Sequence, residues 1–257
     1  MNPTLHIQLL DGLHLRLDDS PITSVDTPRL QKLLAYLVLH RAVPSSRQQL
    51  AFLLWPDTTD TQAQSNLRTL LHRLRQALPH ADDYLHATTQ TVQWRPDSSF
   101  TLDVADFERA RAQAKLAEQE GDHTTFRGWL TNAVAIYRGD LLPNWYDDWV
   151  LDEREPLRQQ FHVALERLIL LLEWERDYRT AIDYTQRLLQ HDPLHEAAYC
   201  QLMRLHALHG DRTAALRVYH TCSTILMQEF GVEPGPETRH AYEGYKSYLA
   251  IFLLCPT

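Results

Sequence analysis

Between Gln62 and Leu78 the chain carries basic and hydrogen-bonding side chains but no carboxylate. Leucines recur there at the spacing of a buried helical stripe: Leu67, Leu70, Leu71, Leu74 and Leu78. At about 100° per residue, the opposite side holds Ser65, Arg68, Thr69, His72, Arg75 and Gln76, with Arg73 on its flank. Guanidinium groups bind phosphates and guanine edges, and small polar groups reach other base edges. The pattern predicts a helix that lies in the major groove of double-stranded DNA.

An ordinary solvent-facing amphipathic helix is the alternative, and the helix alone does not decide between the two. Such a helix usually mixes charges, with Glu four residues before Lys or Arg. The neighbouring segments favour DNA binding, because strands, three helices and a hairpin occur in the order of a winged helix, whose hairpin contacts the adjacent backbone. The predicted hairpin pairs Tyr84-Leu85 with Val92–Trp94. Its candidate DNA contacts are Thr88, Thr89, Gln90 and Arg95, of which Arg95 is better explained as a structural or solvent-facing residue.

Alternating leucines in the first 25 residues predict strands that precede these helices. They flank Asp11-Gly12, a strong hairpin signal, and a third strand is predicted near Ile22 to Val25. The first helix is predicted to follow Pro28, with an apolar stripe made by Leu30, Leu33, Leu34 and Leu37.

Capping residues predict where the second and third helices begin. Ser45 or Ser46 caps the second helix, with Gln48 or Gln49 as the return half of a capping box, and Pro56 ends it. Thr61, with Gln64 three residues later, is the predicted cap of the third helix.

The net charge of −8 is unevenly distributed. Residues 1–96 carry nine Lys and Arg against eight Asp and Glu, whereas the remaining residues carry 16 against 25. The acidity therefore belongs to the second part and does not argue against an anion-binding surface in the first. No apolar run approaches the roughly 20 residues of a membrane helix. Three cysteines, Cys200, Cys222 and Cys255, form no CxxC motif, which suits a reducing cytoplasm.

From residue 101 onward the pattern is helical. Asp103 is the predicted N-cap of a helix that Gly121 ends, and another helix is predicted from Thr124 to Tyr137 before an interruption by "YRGDLLPNWYDDWVLDEREPLR". Two later segments repeat with an offset of 34 residues, so that Asp177 aligns with Asp211. This is the tetratricopeptide period and predicts about three stacked helical pairs, closed by a helix near Glu237 to Leu249. Such stacks suit protein partners or simple packing and dimerisation.

Other chemistries have little support in the sequence. His191 and His195 are separated by Pro193, so a turn between helices is favoured over a zinc site. In "WYDDWVLDERE" the acids alternate with Arg154 and Arg158, which favours structural ion pairs over an acid–base pair. The sequence has no GxSxG motif and no glycine-rich phosphate loop. We therefore expect neither an enzyme nor a bound cofactor or metal.

The order of these segments resembles the Streptomyces antibiotic regulatory protein family. The matching segments of the first part are "KLLAYLVLH", "LLWPD" and "NLRTLLHRLRQAL", and those of the second include "LDVADF", "YRGDLL", "DDWVLDERE", "HDPLHEAAY", "AALRVY" and "EFGVEPGPE". The resemblance implies a mostly α chain: an OmpR-type winged helix-turn-helix (α+β) in residues 1–96, then an all-α, tetratricopeptide-like bacterial transcriptional activation domain in residues 101–250. The family's wing usually carries a glycine near its turn, and "ATTQTVQW" has none.

The resemblance also implies a function and partners. Such proteins are transcriptional activators that bind direct repeats of DNA, with two copies in tandem, and contact RNA polymerase. In this chain Arg68, His72, Arg73 and Arg75 match the basic recognition helix. The segment that would face polymerase is Pro56, Asp57, Thr58, Thr59 and Asp60. We expect a cytoplasmic regulator that forms a homodimer on DNA and has no membrane partner. Two alternatives stay open: a protein-interaction scaffold with a winged helix that does not bind DNA, and the N-terminal part of a larger ATPase-type regulator.

Overall fold

The computed structural model describes residues 3–253 of the 257-residue chain, so Cys255 lies outside the description. Backbone contacts divide the chain into two compact units, Met1–Arg109 with Ile136–Leu157, and Ala110–Ala135 with Arg158–Thr257. The domain ranges 1–96 and 101–250 come from the sequence pattern and stay a prediction. No helix among the described residues is long and apolar enough to cross a membrane.

The first unit opens with a four-stranded sheet in the order β3-β2-β1-β7. The strands are β1 (Leu5–Gln8), β2 (His14–Leu17), β3 (Ser20–Pro21) and β7 (Phe100–Leu102). The predicted antiparallel pair is confirmed, although its connection spans residues 9–13 instead of a two-residue turn. The third strand was predicted a few residues too late, near Ile22 to Val25. The parallel strand β7 was missed, because its hydrogen bonds join residues about 95 positions apart.

Three helices and a hairpin follow, which confirms the winged helix. The helices are α1 (Pro28–Leu39), α2 (Arg47–Leu54) and α3 (Asp60–Ala77), and the short helix α4 (Ala81–Tyr84) was not predicted. The hairpin strands are β5 (Leu85–Ala87) and β6 (Thr91–Trp94), and β4 (Ser45–Ser46) pairs with β6. The fully buried Trp94 ring stacks on Tyr84 with ring centroids 5.5 Å apart, which anchors the hairpin in the core.

The predicted start of α2 is confirmed, whereas its capping box and the predicted start of α3 are corrected. Ser46 caps α2 by accepting the Gln49 amide, but the Gln49 side chain donates to the Tyr36 hydroxyl and does not return to close a capping box. Helix α3 begins two residues earlier than predicted, with Thr59 in place of Thr61 as its N-cap. Asp60 therefore stands in the first turn, where a negative charge complements the helix dipole.

Asp103 joins the first sheet to the start of α5 (Asp103–Gln119). Its carboxylate accepts the backbone amides of Leu9, Leu10 and Val104 at 2.8–3.0 Å. It was predicted as the N-cap of this helix, but it is the first helical residue, and its carboxylate instead holds the β1–β2 connection. Burial raises the pKa of Asp103 to about 6, an effect that the backbone hydrogen bonds partly oppose.

The acidic-aromatic segment differs in part from the prediction. Residues from Asp148 belong to the long helix α7 (Asp148–Trp174), which contains Pro156. Arg154 does not neutralise the nearby acids, because its guanidinium donates to the carbonyls of Leu141, Leu142 and Trp145. The acids have other partners in the first unit: Asp147 accepts from Lys32 at 2.6 Å, and Glu153 lies 3.5 Å from His40.

The remaining helices confirm the tetratricopeptide-like repeat. They are α6 (His123–Ile136), α8 (Tyr178–His191), α9 (Glu196–Leu208), α10 (Arg212–Phe230) and α11 (Pro236–Leu253). Consecutive helices from α8 to α11 pack against one another. Tyr199, Cys222 and Leu226 form part of their core.

Three turns between paired helices share one construction. An Asp at each turn accepts an amide three residues later and donates its own amide to a carbonyl five residues earlier: Asp122, Asp177 and Asp211. The preceding residue has a positive φ in every case, at Gly121, Arg176 and Gly210. This is the left-handed C-cap that glycine favours, and Arg176 is the exception.

We expect Arg176→Gly to raise the free energy of unfolding by about 1 kcal/mol, because Arg176 has a left-handed backbone at φ 62° and an exposed side chain. The matched variant is Gly210→Ala, at φ 92°, whose new Cβ would have no atom within 4 Å. It should lower the free energy of unfolding by a similar amount, since only backbone strain is added. Urea unfolding measures both, and equal stabilities for Arg176→Gly and the wild type would contradict this explanation.

The stability of the protein should depend on pH through Asp103. Because the folded pKa of Asp103, about 6, lies above its unfolded value of about 3.8, folding binds a proton as the pH falls. The wild type should therefore gain about 2 kcal/mol relative to Asp103→Asn between pH 7.5 and pH 4.5, and lose it again as the pH rises through 6. Urea unfolding of both proteins across this range tests the sign. A difference that stays constant with pH would contradict it.

Candidate nucleic-acid interface

Helix α3 places all seven predicted recognition residues on the solvent side. Ser65, Arg68, Thr69, His72, Arg73, Arg75 and Gln76 are exposed, whereas Ala63, Leu67, Leu70, Leu71 and Leu74 are buried. The buried side packs against α1 and α2. The helix therefore presents basic and polar groups on a rigid support.

The exposed groups differ in how freely they can bind a ligand. Across the described residues, Arg68 and Arg73 have no ion-pair partner. Arg75, in contrast, lies 3.4 Å from Asp82, a carboxylate that the fold brings from α4. The Thr69 hydroxyl donates to the Ser65 carbonyl at 3.3 Å, which reduces its availability. The helix sequence has no carboxylate near either arginine, but in the fold Asp82 approaches Arg75, whereas no carboxylate pairs with Arg68 among the described residues.

A groove of about 860 Å³ is formed by α3, the start of α2 and the tip of the hairpin. Arg68 and Gln64 line it from α3, Arg47 lines it from α2, and Thr88, Thr89 and Gln90 line it from the hairpin. The predicted wing tip and one side of the predicted recognition helix therefore share one surface. We call this surface the wing groove.

Arg47 is the main residue of this groove that the sequence analysis missed. Its backbone amide donates to the Gln90 carbonyl at 2.9 Å, and its Nε donates to the Thr88 carbonyl at 2.8 Å. Burial lowers the pKa of Arg47, and the positive charges of Arg68 and Arg75 lower it further. The guanidinium group of Arg47 is thus repelled by those of Arg68 and Arg75. A cation at a helix N-terminus is unfavourable to the helix dipole, and this was the available signal.

The wing turn is closed by a side chain in place of the expected glycine. The Thr88 hydroxyl oxygen accepts the amides of Gln90 at 3.1 Å and Thr91 at 2.9 Å, and lies 3.0 Å from the Thr91 hydroxyl. Hydroxyl groups form such local turns with nearby amides. Since Thr88, Thr89 and Gln90 are exposed, the turn presents polar groups at its tip.

Arg95 does not join the wing tip. It follows β6, about 15 Å from the turn at a rise of roughly 3.3 Å per residue. Its backbone amide donates to the Tyr84 carbonyl, and its own carbonyl accepts from Ser98. Its side chain is exposed, and the role of that side chain stays a prediction.

Arg73 lies on the opposite flank of α3, about 140° around the helix from Arg68. It lines a second groove, of about 670 Å³, together with Asn66 and residues of the α1 start. There Arg29 lies over the Trp55 ring, 5.6 Å from its centroid. The two flanks of α3 therefore carry separate basic side chains, and Ser65, His72 and Gln76 stand between them.

The connection between α2 and α3 exposes all five residues from Pro56 to Asp60. The Thr58 amide and hydroxyl both donate to the Trp55 carbonyl, which shapes the turn. Asp60 is already helical, so the free connection is Pro56, Asp57, Thr58 and Thr59.

The described residues contain no group of three His, Cys, Asp or Glu side chains arranged to hold a metal ion. His195 is the N-cap residue of α9, and its Nε2 lies 3.5 Å from Glu166. His191 ends α8 and meets the edge of Phe161. These two histidines thus occupy the helix–helix connection that the sequence indicated.

Known proteins with similar sequences are transcriptional regulators by name. Residues 102–244 match the family model of the bacterial transcriptional activator domain. The chain is 26% identical over 219 residues to the regulatory protein AfsR of Streptomyces griseus, covering 85% of this chain and 22% of AfsR. It is 24% identical over 248 residues to the transcriptional regulatory protein MoaR1 of Mycobacterium tuberculosis, covering 93% and 78%.

A solved structure has the same fold. It is Mycobacterium tuberculosis EmbR in complex with a low-affinity phosphopeptide, with a TM-score of 0.75 and 22% sequence identity. The match covers 96% of this chain and 66% of the EmbR chain. The chain thus spans about a fifth of AfsR and two thirds of EmbR. Because the family model covers more than half of its length, this chain belongs to the bacterial transcriptional activator domain family, as the resemblance to Streptomyces antibiotic regulatory proteins implied.

Proposed function

We propose that this protein is a transcriptional activator that binds specific double-stranded DNA sequences through α3 and the wing groove. One observation carries the proposal: Arg47 and Arg68 line the same groove, beside a wing tip whose exposed side chains are all polar. Two neighbouring cations on one groove favour the binding of an anion. A phosphate backbone is an anion of the required length and charge density.

The dimensions of α3 fit a DNA groove. A helix with its side chains is about 10–12 Å in diameter, and the major groove is about 12 Å wide. With Arg47 beside one flank and Arg73 on the other, the protein can meet the phosphates of both strands, which leaves Arg68 free for a base edge. Ser65, His72 and Gln76 then face the base edges, where sequence is read.

The finer features of this function rest on the family resemblance. Activators of this kind bind direct repeats as two copies in tandem and contact RNA polymerase, and we propose the same for this chain. The exposed connection Pro56–Thr59 and the first residue of α3, Asp60, are the proposed polymerase-facing segment. We further propose that the protein acts in the cytoplasm without enzymatic activity of its own, and forms a homodimer when bound to DNA.

A scaffold that uses its winged helix for protein contacts is the second candidate. The ion pair between Arg75 and Asp82 favours it, because that carboxylate reduces the positive charge of the recognition face. DNA fragments retained by the protein from a genomic library distinguish the two candidates. A DNA-binding regulator enriches particular fragments with salt-dependent affinity, whereas a scaffold enriches none.

We expect Arg68→Ala to weaken binding to an enriched fragment by ~1–3 kcal/mol and to relax the base preference at one position, because Arg68 is free to make a bidentate base contact. Fluorescence anisotropy with the fragment and its single-base variants measures both effects. Arg179→Ala is the matched control, since Arg179 is an exposed arginine of α8. Wild-type affinity together with wild-type base preference in Arg68→Ala would remove this assignment.

We expect Arg47→Ala to act through phosphate contact, weakening binding about equally on all sequences. The slope of log K against log salt concentration should become shallower by about 0.9, the value for one phosphate contact on B-DNA. Arg47→Lys is the matched variant, because it keeps the charge but loses the Nε bond to the Thr88 carbonyl. It should retain the salt slope. An unchanged slope in Arg47→Ala would show that Arg47 only supports the wing.

A further inference from the structure

The outer face of the N-terminal sheet carries four polar side chains that meet across two strands. In the β1–β2 register, His6 lies opposite Arg16 and Gln8 lies opposite His14. The alternate residues Leu5, Ile7 and Leu15 are buried on the other face. Directly opposite residues on one face of a sheet are close neighbours. Two histidines and an arginine are therefore brought together.

A depression of about 320 Å³ lies over this face. His6, His14 and Arg16 line it from the strands, and Arg138 lines it from the segment after α6. Thr101 of β7 lies beside His6 in the sheet, and its hydroxyl is 2.8 Å from His6 Nδ1. This contact fixes the imidazole ring. The volume is near the lower end of the range for small-molecule sites.

A close backbone approach positions Arg138 over the sheet. The Asp11 amide donates to the Asp140 carbonyl at 3.0 Å, and the Tyr137 hydroxyl donates to the Asp140 carboxylate at 2.8 Å. A Cβ at Gly139 would lie 2.9 Å from the Asp11 side chain, so only glycine fits without a shift. The residue before it, Arg138, is thereby held on a rigid turn.

The carboxylates of the depression already have partners within the protein. Asp103 accepts three backbone amides, and Asp106 pairs with Arg109 at 2.9 Å. Arg138 has no ion-pair partner across the described part of the chain. Arg16 pairs only with the fully exposed Asp19, and such surface pairs are weak. Two guanidinium groups are therefore available to a ligand.

We propose that this depression binds a small polyanion, a molecule that carries a phosphoryl group or clustered carboxylates. Arg16 and Arg138 bind its oxygens through their planar donor pairs, and His6 and His14 add further donors. A larger depression of about 580 Å³ shares Gln8, His14, Arg16 and Arg138, and it accommodates the remainder of the molecule. Asp26 lines only this larger part.

The proposed site is separate from the wing groove, because the two share no lining residue. It is therefore independent of the proposed DNA binding. The ligand would be a small-molecule input to the protein, and failure of either proposal leaves the other standing.

Amide chemical shifts of the full ¹⁵N-labelled chain test the proposal. Sodium pyrophosphate is titrated at constant ionic strength, with sodium citrate as the carboxylate arm and sodium chloride as the reference. We expect saturable shifts at residues 6–8, 14–16 and 138 with pyrophosphate or citrate, and the arm that binds more tightly identifies the oxyanion. Shifts that stay linear with concentration in both arms, or that map to the wing groove, would overturn the proposal.

Three variants separate this site from general attraction of anions. Arg138→Gln and Arg16→Gln should each lower the affinity for the tighter-binding anion by about tenfold or more, because each variant removes a charge-assisted contact. Arg179→Gln removes the same charge from an exposed position of α8, and this variant should bind the anion with wild-type affinity. Circular dichroism checks that each variant is folded. Equal weakening in all three variants, or wild-type binding in Arg138→Gln and Arg16→Gln, would reject the site.

Discussion

The burial of one leucine stripe under α3 is the constraint on which the functional surface depends. Leu67, Leu70, Leu71 and Leu74 are at most 5% exposed and pack on α1 and α2. Full burial of each leucine stabilises by roughly 1.5–3 kcal/mol, which is enough to hold neighbouring cations that repel one another. Arg47 then joins this support to the wing through two bonds to wing carbonyls. The basic face is therefore assembled before any ligand arrives.

A second set of contacts connects the N-terminal sheet to later segments of the first unit. Asp103 holds the β1–β2 connection by its amides, and the turn around Gly139 packs against Asp11. Arg154 reinforces the segment that follows by binding three of its carbonyls. The segment Ile136–Leu157 thus belongs with the winged helix in one compact unit, although its sequence is helical or irregular and lies 40 residues further along.

Local patterns predicted much of the fold, and long-range contacts account for the differences. The α3 face, the wing strands and the 34-residue repeat follow from periodicity and capping, which are properties of neighbouring residues. Strand β7 pairs with a strand about 95 residues away, and Asp82 approaches Arg75 only because α4 turns the chain back. The local sequence marks Arg47 only as a cation at a helix N-terminus, which does not show what it contacts. Its position at the wing depends on β4 pairing with β6, which places the start of α2 beside the hairpin.

Three turns in the helical part of the chain are built in the same way. Asp122, Asp177 and Asp211 each close the same turn, and the 34-residue offset between Asp177 and Asp211 corresponds to equivalent helix starts in the second unit. The segment at Gly121-Asp122 diverges most in sequence and still keeps the turn. All three turns keep the same cap, because the Asp carboxylate and the backbone hydrogen bonds fix it.

The glycine-free wing has a consequence for the thermodynamics of association. A glycine tip samples many backbone shapes and loses that freedom when it docks. Here the Thr88 hydroxyl already binds two amides, which limits the backbone shapes open to the tip before it docks. Such preorganisation lowers the conformational entropy that the hairpin loses on binding, and it fixes how far the hairpin tip reaches. A surface of the wrong width would then be rejected by shape alone.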